Sequence, residues 1–155
     1  MADIFTKAKR SEVMSRIRSR GNKDTEIVLA KLLRRHKITG WRRHLKIRIS
    51  SPVSRHSSLP ALSVRPDFVF AKARLAVFVD DCFWHGCPKH GTQPQGNRAF
   101  WKKKFATNLA RDRRVKRALR RAKWRVLRIW ECTLTKHPLK CVERIKRDTN
   151  YTNLH

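Results

Sequence analysis

Carboxylates are scarce in this chain. Only 11 Asp and Glu stand against 39 Lys and Arg, a formal charge of +28 over 155 residues. An excess of that size repels itself in a compact state unless a polyanion neutralises it. Apolar runs long enough to span a bilayer are missing, and no signal-peptide core follows Met1. The expectation is an intracellular protein, cytoplasmic or nucleoid-associated. Internal repeats are absent, and the length suits a single domain over 1–155 rather than two. Cysteine is limited to four residues. In a reducing compartment they point to metal binding or catalysis, not to a disulfide framework. Nucleic acid is the leading polyanion, because phosphate contacts release counterions and give sequence-independent affinity. An anionic membrane surface is the rival, but the cations are spread along the chain instead of gathering in one juxtamembrane cluster.

What is there is organised around Val77-Phe78-Val79-Asp80-Asp81-Cys82-Phe83-Trp84-His85-Gly86-Cys87-Pro88-Lys89-His90, together with Arg65-Pro66-Asp67. An apolar run from Leu75 to Val79 ends in two carboxylates, then in cysteines, histidines and large aromatics. It reads as a buried strand opening into a site, with Phe68-Val69-Phe70 as a neighbouring strand that brings Asp67 to the same place. Around it the pattern predicts a basic helix over 5–20, broken at Gly21-Asn22, and a second helix from Asp24 or Thr25 to Arg35 with Glu26 in its first turn. Trp41 to Ile49 alternates as one strand. Residues 50–64, rich in Ser and Pro, read as a flexible insertion. A long helix follows from Asn97 to Ala122, then a strand from Trp124 to Trp130 that delivers Glu131 and Cys132, a helix over 138–147 and a frayed tail over 148–155. Strands interleaved with helices imply an α/β fold, a mixed central sheet flanked by helices.

Two constellations carry chemistry. Cys82, Cys87, His90 and Cys132 form a Cys3His set suited to a closed, structural Zn²⁺ site; His85 is the alternative to His90, and the bland reading is small buried thiols. Cys141 is a core or surface thiol. Asp67 is a hard oxygen ligand suited to Mg²⁺, and His85 could take a proton from water, since imidazole titrates near neutrality. Glu26 could assist. An ion plus a base is a minimal kit for phosphodiester hydrolysis. Against it, Asp67 could pair with an arginine, Glu26 could serve only the helix dipole, and Asp80 and Asp81 could be solvated charges.

These residues resemble the very short patch repair (Vsr) endonucleases, a branch of the PD-(D/E)XK nuclease superfamily with a restriction-endonuclease-like fold. The resemblance rests on Arg10-Ser11 with Met14 and Ile17, Thr25-Glu26, Arg65-Pro66-Asp67-Phe68-Val69, Cys82-Phe83-Trp84-His85, Phe100-Trp101, Asn108 with Arg111-Asp112, Trp124-Arg125-Val126-Leu127 and Trp130-Glu131-Cys132. It implies a Mg²⁺-dependent nick in one strand of double-stranded DNA beside a T:G mismatch; because a nick in one strand needs only one site, a monomer is expected. Partners associated with mismatch repair or with a methyltransferase are compatible with it. By matching position Asp67 would hold Mg²⁺ with the backbone carbonyl of Val79, His85 would be the general base and Glu26 would assist. Cys82, Cys87 and Cys132 match zinc positions, while Lys89 stands where a ligand cysteine is usual, so His90 must substitute. Met14, Phe83, Trp84 and Trp101 match DNA-inserting residues, which favour a mismatch because unstacking costs least there. No (D/E)XK lysine follows the strand. Two other readings stay open: a homing or defence nuclease cutting matched DNA, and a zinc-stabilised protein that binds DNA without cutting.

Overall fold

The computed structural model describes residues 6, 8, 9, 12, 25–49, 62–90 and 96–150. The elements run α1 (Glu26–Arg35), β1 (Trp41–Arg43), β2 (Ile47–Ile49), β3 (Leu62–Val64), β4 (Phe68–Phe70), β5 (Leu75–Asp80), α2 (Arg98–Arg121), β6 (Arg125–Trp130), α3 (Glu131–Lys136) and α4 (Pro138–Thr149). Four strands form the main sheet in the order β1-β4-β5-β6, and β2 and β3 form a separate pair. β1 and β5 lie antiparallel to β4, while β6 is parallel to β5. The sheet is therefore mixed, as the alternation of elements implied, and α2 is the crossover that a parallel pair requires.

The central strand explains the layering. Leu75 and Val77 of β5 join Phe68, Phe70, Leu127 and Ile129 in a core closed by α1, α3 and α4, through Leu29, Leu33, Leu134, Val142 and Ile145. Ala76 packs the opposite way, with Val69, against Leu119 of α2 and the β2–β3 pair. Alternate side chains are thus buried on both faces, which is why Leu75–Val79 reads as a continuous apolar run. Cys141 is fully buried in the first core, a packing thiol.

Four expectations change. The run 41–49 is two strands in two sheets, because His44 adopts a left-handed φ of +53° between them. Its backbone N–H donates to the Asp67 carbonyl at 3.2 Å, which turns the chain out of the main sheet toward the future site. The expected 50–64 insertion is shorter at its far end, since Leu62–Val64 is strand β3 paired with Ile47–Ile49; apolar Ile47, Ile49 and Val64 bury together there. β6 delivers Glu131 and Cys132 at its end as expected, but they open a short helix, α3, that the pattern did not predict. The last helix runs through Thr149, capped by Asn150 in a left-handed conformation, so the frayed tail does not begin at 148. Met14, and the basic helix over 5–20 apart from residues 6, 8, 9 and 12, lie outside the described residues.

Candidate active site and metal centre

Three elements converge on Asp67. β4 starts one residue after it, β5 runs beside β4, and α1 brings Glu26 across from its first turn. The Val79 backbone N–H donates to Asp67 Oδ2 at 2.7 Å. Glu26 is 6 % exposed, and its Oε2 accepts from Arg43 Nη2 at 2.6 Å and lies 2.9 Å from His44 Nε2. It is a buried group held by two neighbours, so serving the helix dipole is not its main task. Ligand atoms of Glu26, His44 and Asp67 all fall within 4.8 Å of one another. Burial pushes the Asp67 carboxyl up to about 7 although the Val79 N–H favours the anion, and Glu26 and Asp80 raise it further. A carboxylate that is hard to ionise beside other carboxylates is the electrostatic condition a divalent cation relieves. The buried Nε of Arg43 has no hydrogen-bond partner among the described residues, an N–H that an oxygen at this site could take up.

His85 sits in a second network. Its Nδ1 is 2.7 Å from Asp112 Oδ2 and 3.8 Å from Asp80 Oδ1. Arg128 grips Asp80 with two bonds, Nε to Oδ2 at 2.5 Å and Nη2 to Oδ1 at 2.7 Å, and reaches Asp112 Oδ2 at 3.1 Å. Asp80 is 2 % exposed, so it is not a solvated charge. Burial works against ionising Asp112, but the His85 hydrogen bond and the Arg128 charge outweigh it and hold its carboxyl below the usual range. Burial likewise opposes the Arg128 charge, and Asp80 and Asp112 more than compensate. With Nδ1–H donating to Asp112, the free lone pair is at Nε2, the arrangement of a general base.

Asp112, Arg128 and His44 were not singled out for these roles in the sequence. Asp112 alone had a visible signal, as the one carboxylate in the 24 residues of α2.

Between β5 and α2 the loop turns back on itself. Asp81 Oδ1 accepts from the N–H groups of Phe83 and Trp84 at 2.8 and 3.2 Å, so Asp81 organises the turn. Gly86 takes φ +64°, a conformation that other residues adopt only at a cost. Cys82, Cys87, His90 and Cys132 bring their ligand atoms within 4.8 Å of one another. Cys87 Sγ is 3.8 Å from both Cys132 Sγ and His90 Nδ1. That is too long for a disulfide, and a tetrahedral zinc with Zn–S bonds near 2.3 Å separates its sulfurs by about 3.8 Å. The donor set therefore fits Zn²⁺, and His90, not His85, is the nitrogen that joins it. Burial acts to raise the Cys87 thiol, but the Lys89 N–H and His90 bring it down to about 6. Burial, with the neighbouring thiols, pushes Cys82 up to about 12.

Phe83 packs edge-on to Trp84, Trp101 and Phe105 at centroid distances of 5.0, 5.4 and 5.5 Å, and Asn108 Nδ2 donates to the Trp84 carbonyl. Trp101 is 7 % exposed while its neighbour Phe100 is 53 % exposed. The packing role weighed for Trp101 is thus occupied here, and Phe83 and Trp84 are half-buried. Farther along α2, Arg113, Lys116, Arg117, Arg120 and Arg121 line a shallow concavity. No helix among the described residues is long and apolar enough to cross a membrane.

Residues 55–90 match the family model described as DNA mismatch endonuclease Vsr. The chain is 39 % identical over 137 residues to the DNA mismatch endonuclease Vsr of Escherichia coli (strain K12), covering 86 % of this chain and 76 % of that one. It is 33 % identical over 147 residues to the Type II nicking enzyme V.NmeDIP of Neisseria meningitidis serogroup C, covering 94 % of this chain and 88 % of the relative. A 70-residue stretch is 51 % identical to the Type II nicking enzyme V.NaeI of Lentzea aerocolonigenes, 45 % of this chain but only 42 % of that protein.

Proposed function

Because this chain belongs to the Vsr family of DNA endonucleases, we propose that it nicks one strand of duplex DNA beside a T:G mismatch, with Mg²⁺ at Asp67 and His85 as the base. The observation that carries the reading is the pairing of two centres at the end of β5: the Asp67–Glu26 carboxylates, with Asp67 held by the Val79 N–H, and the His85–Asp112 couple six residues after Val79, beyond the strand's end at Asp80.

Asp67 and the Val79 carbonyl would hold Mg²⁺, with Glu26 alongside; the ion supplies charge stabilisation to the phosphate in its transition state. His85 Nε2 takes the proton of the attacking water while Asp112 keeps the ring in the Nδ1–H form. Water oxygen bonds to phosphorus, the bond to the leaving sugar oxygen breaks, and that oxygen takes a proton from solvent. Arg128 positions the couple by fixing Asp112 and Asp80 together. The PD-(D/E)XK fold assignment belongs to this reading, as does a structural Zn²⁺ on the cysteine cluster, and so does insertion by Met14, Phe83, Trp84 and Trp101. For Trp101 to insert, the aromatic cluster has to open, which Phe100 on the exposed rim would accompany.

Single-turnover cleavage of an end-labelled duplex with one T:G mismatch tests the machinery. Removing the proton acceptor in His85→Ala is expected to slow the cut by about 10²–10⁴-fold. Asp112→Asn, which can donate to Nδ1 and reverse the tautomer, should slow it comparably, with DNA affinity unchanged. An unaffected rate in either variant contradicts the assignment. The α2 cations make a separate prediction. Replacing Arg117, Arg120 and Arg121 with Gln should flatten the dependence of log affinity on log salt by about 2–3, near 0.9 per lost phosphate contact. Fluorescence-anisotropy titrations across salt concentrations measure it.

A further inference from the structure

We infer that His44 is a metal ligand, making the Asp67 pocket a mixed imidazole–carboxylate site that takes Mn²⁺ in preference to Mg²⁺. The inference rests on the proposal that Asp67 holds the ion.

Three facts carry it. Ligand atoms of His44, Glu26 and Asp67 lie within 4.8 Å of one another, compact enough for one ion to touch all three, and His44 Nε2 is 2.9 Å from Glu26 Oε2. With the Val79 carbonyl these donors would still leave positions for water and a phosphate oxygen, since such ions take about six ligands. Second, the backbone is shaped to present this side chain. His44 takes φ +53°, uncommon for a non-glycine residue, and its N–H is tied to the carbonyl of Asp67 itself. The main chain of one donor thus fixes the other. Third, the surroundings supply the rest of a site. Arg43, the preceding residue, bonds Glu26 Oε2, which orients that carboxylate, and the buried Nε of Arg43 has no partner among the described residues, so an oxygen of the ion's water or of a phosphate could take it up.

The chemistry follows from the donor types. Mg²⁺ is held by oxygen and keeps several waters. Imidazole suits transition ions, whose affinity for nitrogen rises along the first row. Nε2, the nitrogen that now meets Glu26, would turn its lone pair to the ion, with the ring proton on Nδ1. Adding it to two carboxylates tilts the pocket toward Mn²⁺ and Co²⁺ without excluding Mg²⁺.

Pulsed EPR of the full chain with one equivalent of Mn²⁺, after one equivalent of Zn²⁺ has been added for the cysteine cluster, reads the ligand directly. We expect a ¹⁴N coupling from a bound imidazole, lost in His44→Gln. The same substitution should weaken Mn²⁺ binding by at least the ~10-fold seen when a metal site's supporting residues are removed, and Mg²⁺ binding by clearly less. An absent coupling in the wild-type protein, or one that persists in His44→Gln, overturns the inference. An equal loss for both ions also overturns it, since a residue that merely positions Glu26 would produce that result. Asp67→Asn separates the underlying reading: if it abolishes Mn²⁺ binding while the wild type lacks the coupling, Asp67 holds the ion and His44 does not. If Asp67→Asn keeps both the ion and the coupling, the His44 ligand stands and the Asp67 assignment falls.

Discussion

Asp67→Asn is expected to abolish nicking, by about 10³-fold or more, and to make the protein more stable at alkaline pH. The loss follows from taking away the anionic ligand, since the ion is worth several kcal/mol of transition-state stabilisation and each 1.36 kcal/mol is tenfold in rate. The gain follows from the pocket. Asn keeps an oxygen for the Val79 N–H and an N–H₂ to offer Glu26, so the local bonds survive. What disappears is a buried charge. Burial lifts the Asp67 carboxyl from 3.8 to about 7, so between those values the folded chain binds more protons than the unfolded one. A group of that kind helps stability below the unfolded value and loses its contribution as pH rises through the folded one. The wild-type Tm should therefore fall from about pH 4 to pH 7 relative to Asp67→Asn. Above that window the difference reaches an upper limit of about 4 kcal/mol, three pH units at 1.36 each. Adding Mg²⁺ should narrow the gap by restoring a partner to the wild-type carboxylate. Thermal melts from pH 4 to 8 with chelator decide it, and a variant less stable at every pH would mean that the charge serves the fold.

Breaking the cysteine cluster is expected to have the next largest effect. Cys87→Ser should remove one equivalent of bound zinc, slow cleavage at least 10²-fold, and leave the main sheet folded. The reason lies in the far half of the loop. Its near half is tied to α2 by the His85–Asp112 bond, by Asn108 on the Trp84 carbonyl and by Phe83 against Trp101 and Phe105, whereas within 86–90 only Cys87 is buried and its N–H bonds back to the Cys82 carbonyl inside the same loop. Its tie to the rest of the fold through Cys132 runs to α3, directly after β6. The same loop carries His85, Phe83 and Trp84, so releasing it displaces the base and the aromatics together. Structural zinc in small domains contributes on the order of 10–16 kcal/mol. Here the sheet and helices have their own cores, and the loss is confined to the loop. Elemental analysis, circular dichroism and limited proteolysis of the variant check each part. Full activity without metal would remove the structural role.

Much of the site was legible because its chemistry is dense along the chain. Arg65-Pro66-Asp67 and Cys82-Phe83-Trp84-His85 combine residue types that no packing pattern requires, and the apolar run of β5 delivers them. The donor spacing likewise selected Cys82, Cys87, His90 and Cys132, which converge. What escaped was assembled by tertiary contacts. Glu26 and Asp67 were named together in the sequence, but His44, which joins them from a strand end, was not, since no local spacing links it to either. Arg128 was not singled out on its strand, and it is β6 pairing that sets it beside Phe78 and brings it to Asp80. His44 sits in an alternation that suits a continuous strand, and alternation carries no information about a left-handed φ. The helix Glu131–Lys136 escaped for a related reason: six residues offer too little periodicity to separate a helical turn from the end of a strand.

The central claim is one cut, in one strand, directed by a mismatch. The direct test is a pair of duplexes identical but for a single T:G pair, each strand carrying its own label, incubated with the full chain and Mg²⁺. The account predicts one labelled fragment, from the T strand of the mismatched duplex alone. Equal cutting of the fully paired twin would contradict mismatch direction and move the same active site to cleavage of matched DNA. Tight binding of both duplexes with no cut in either would contradict the catalytic assignments of Asp67 and His85 altogether.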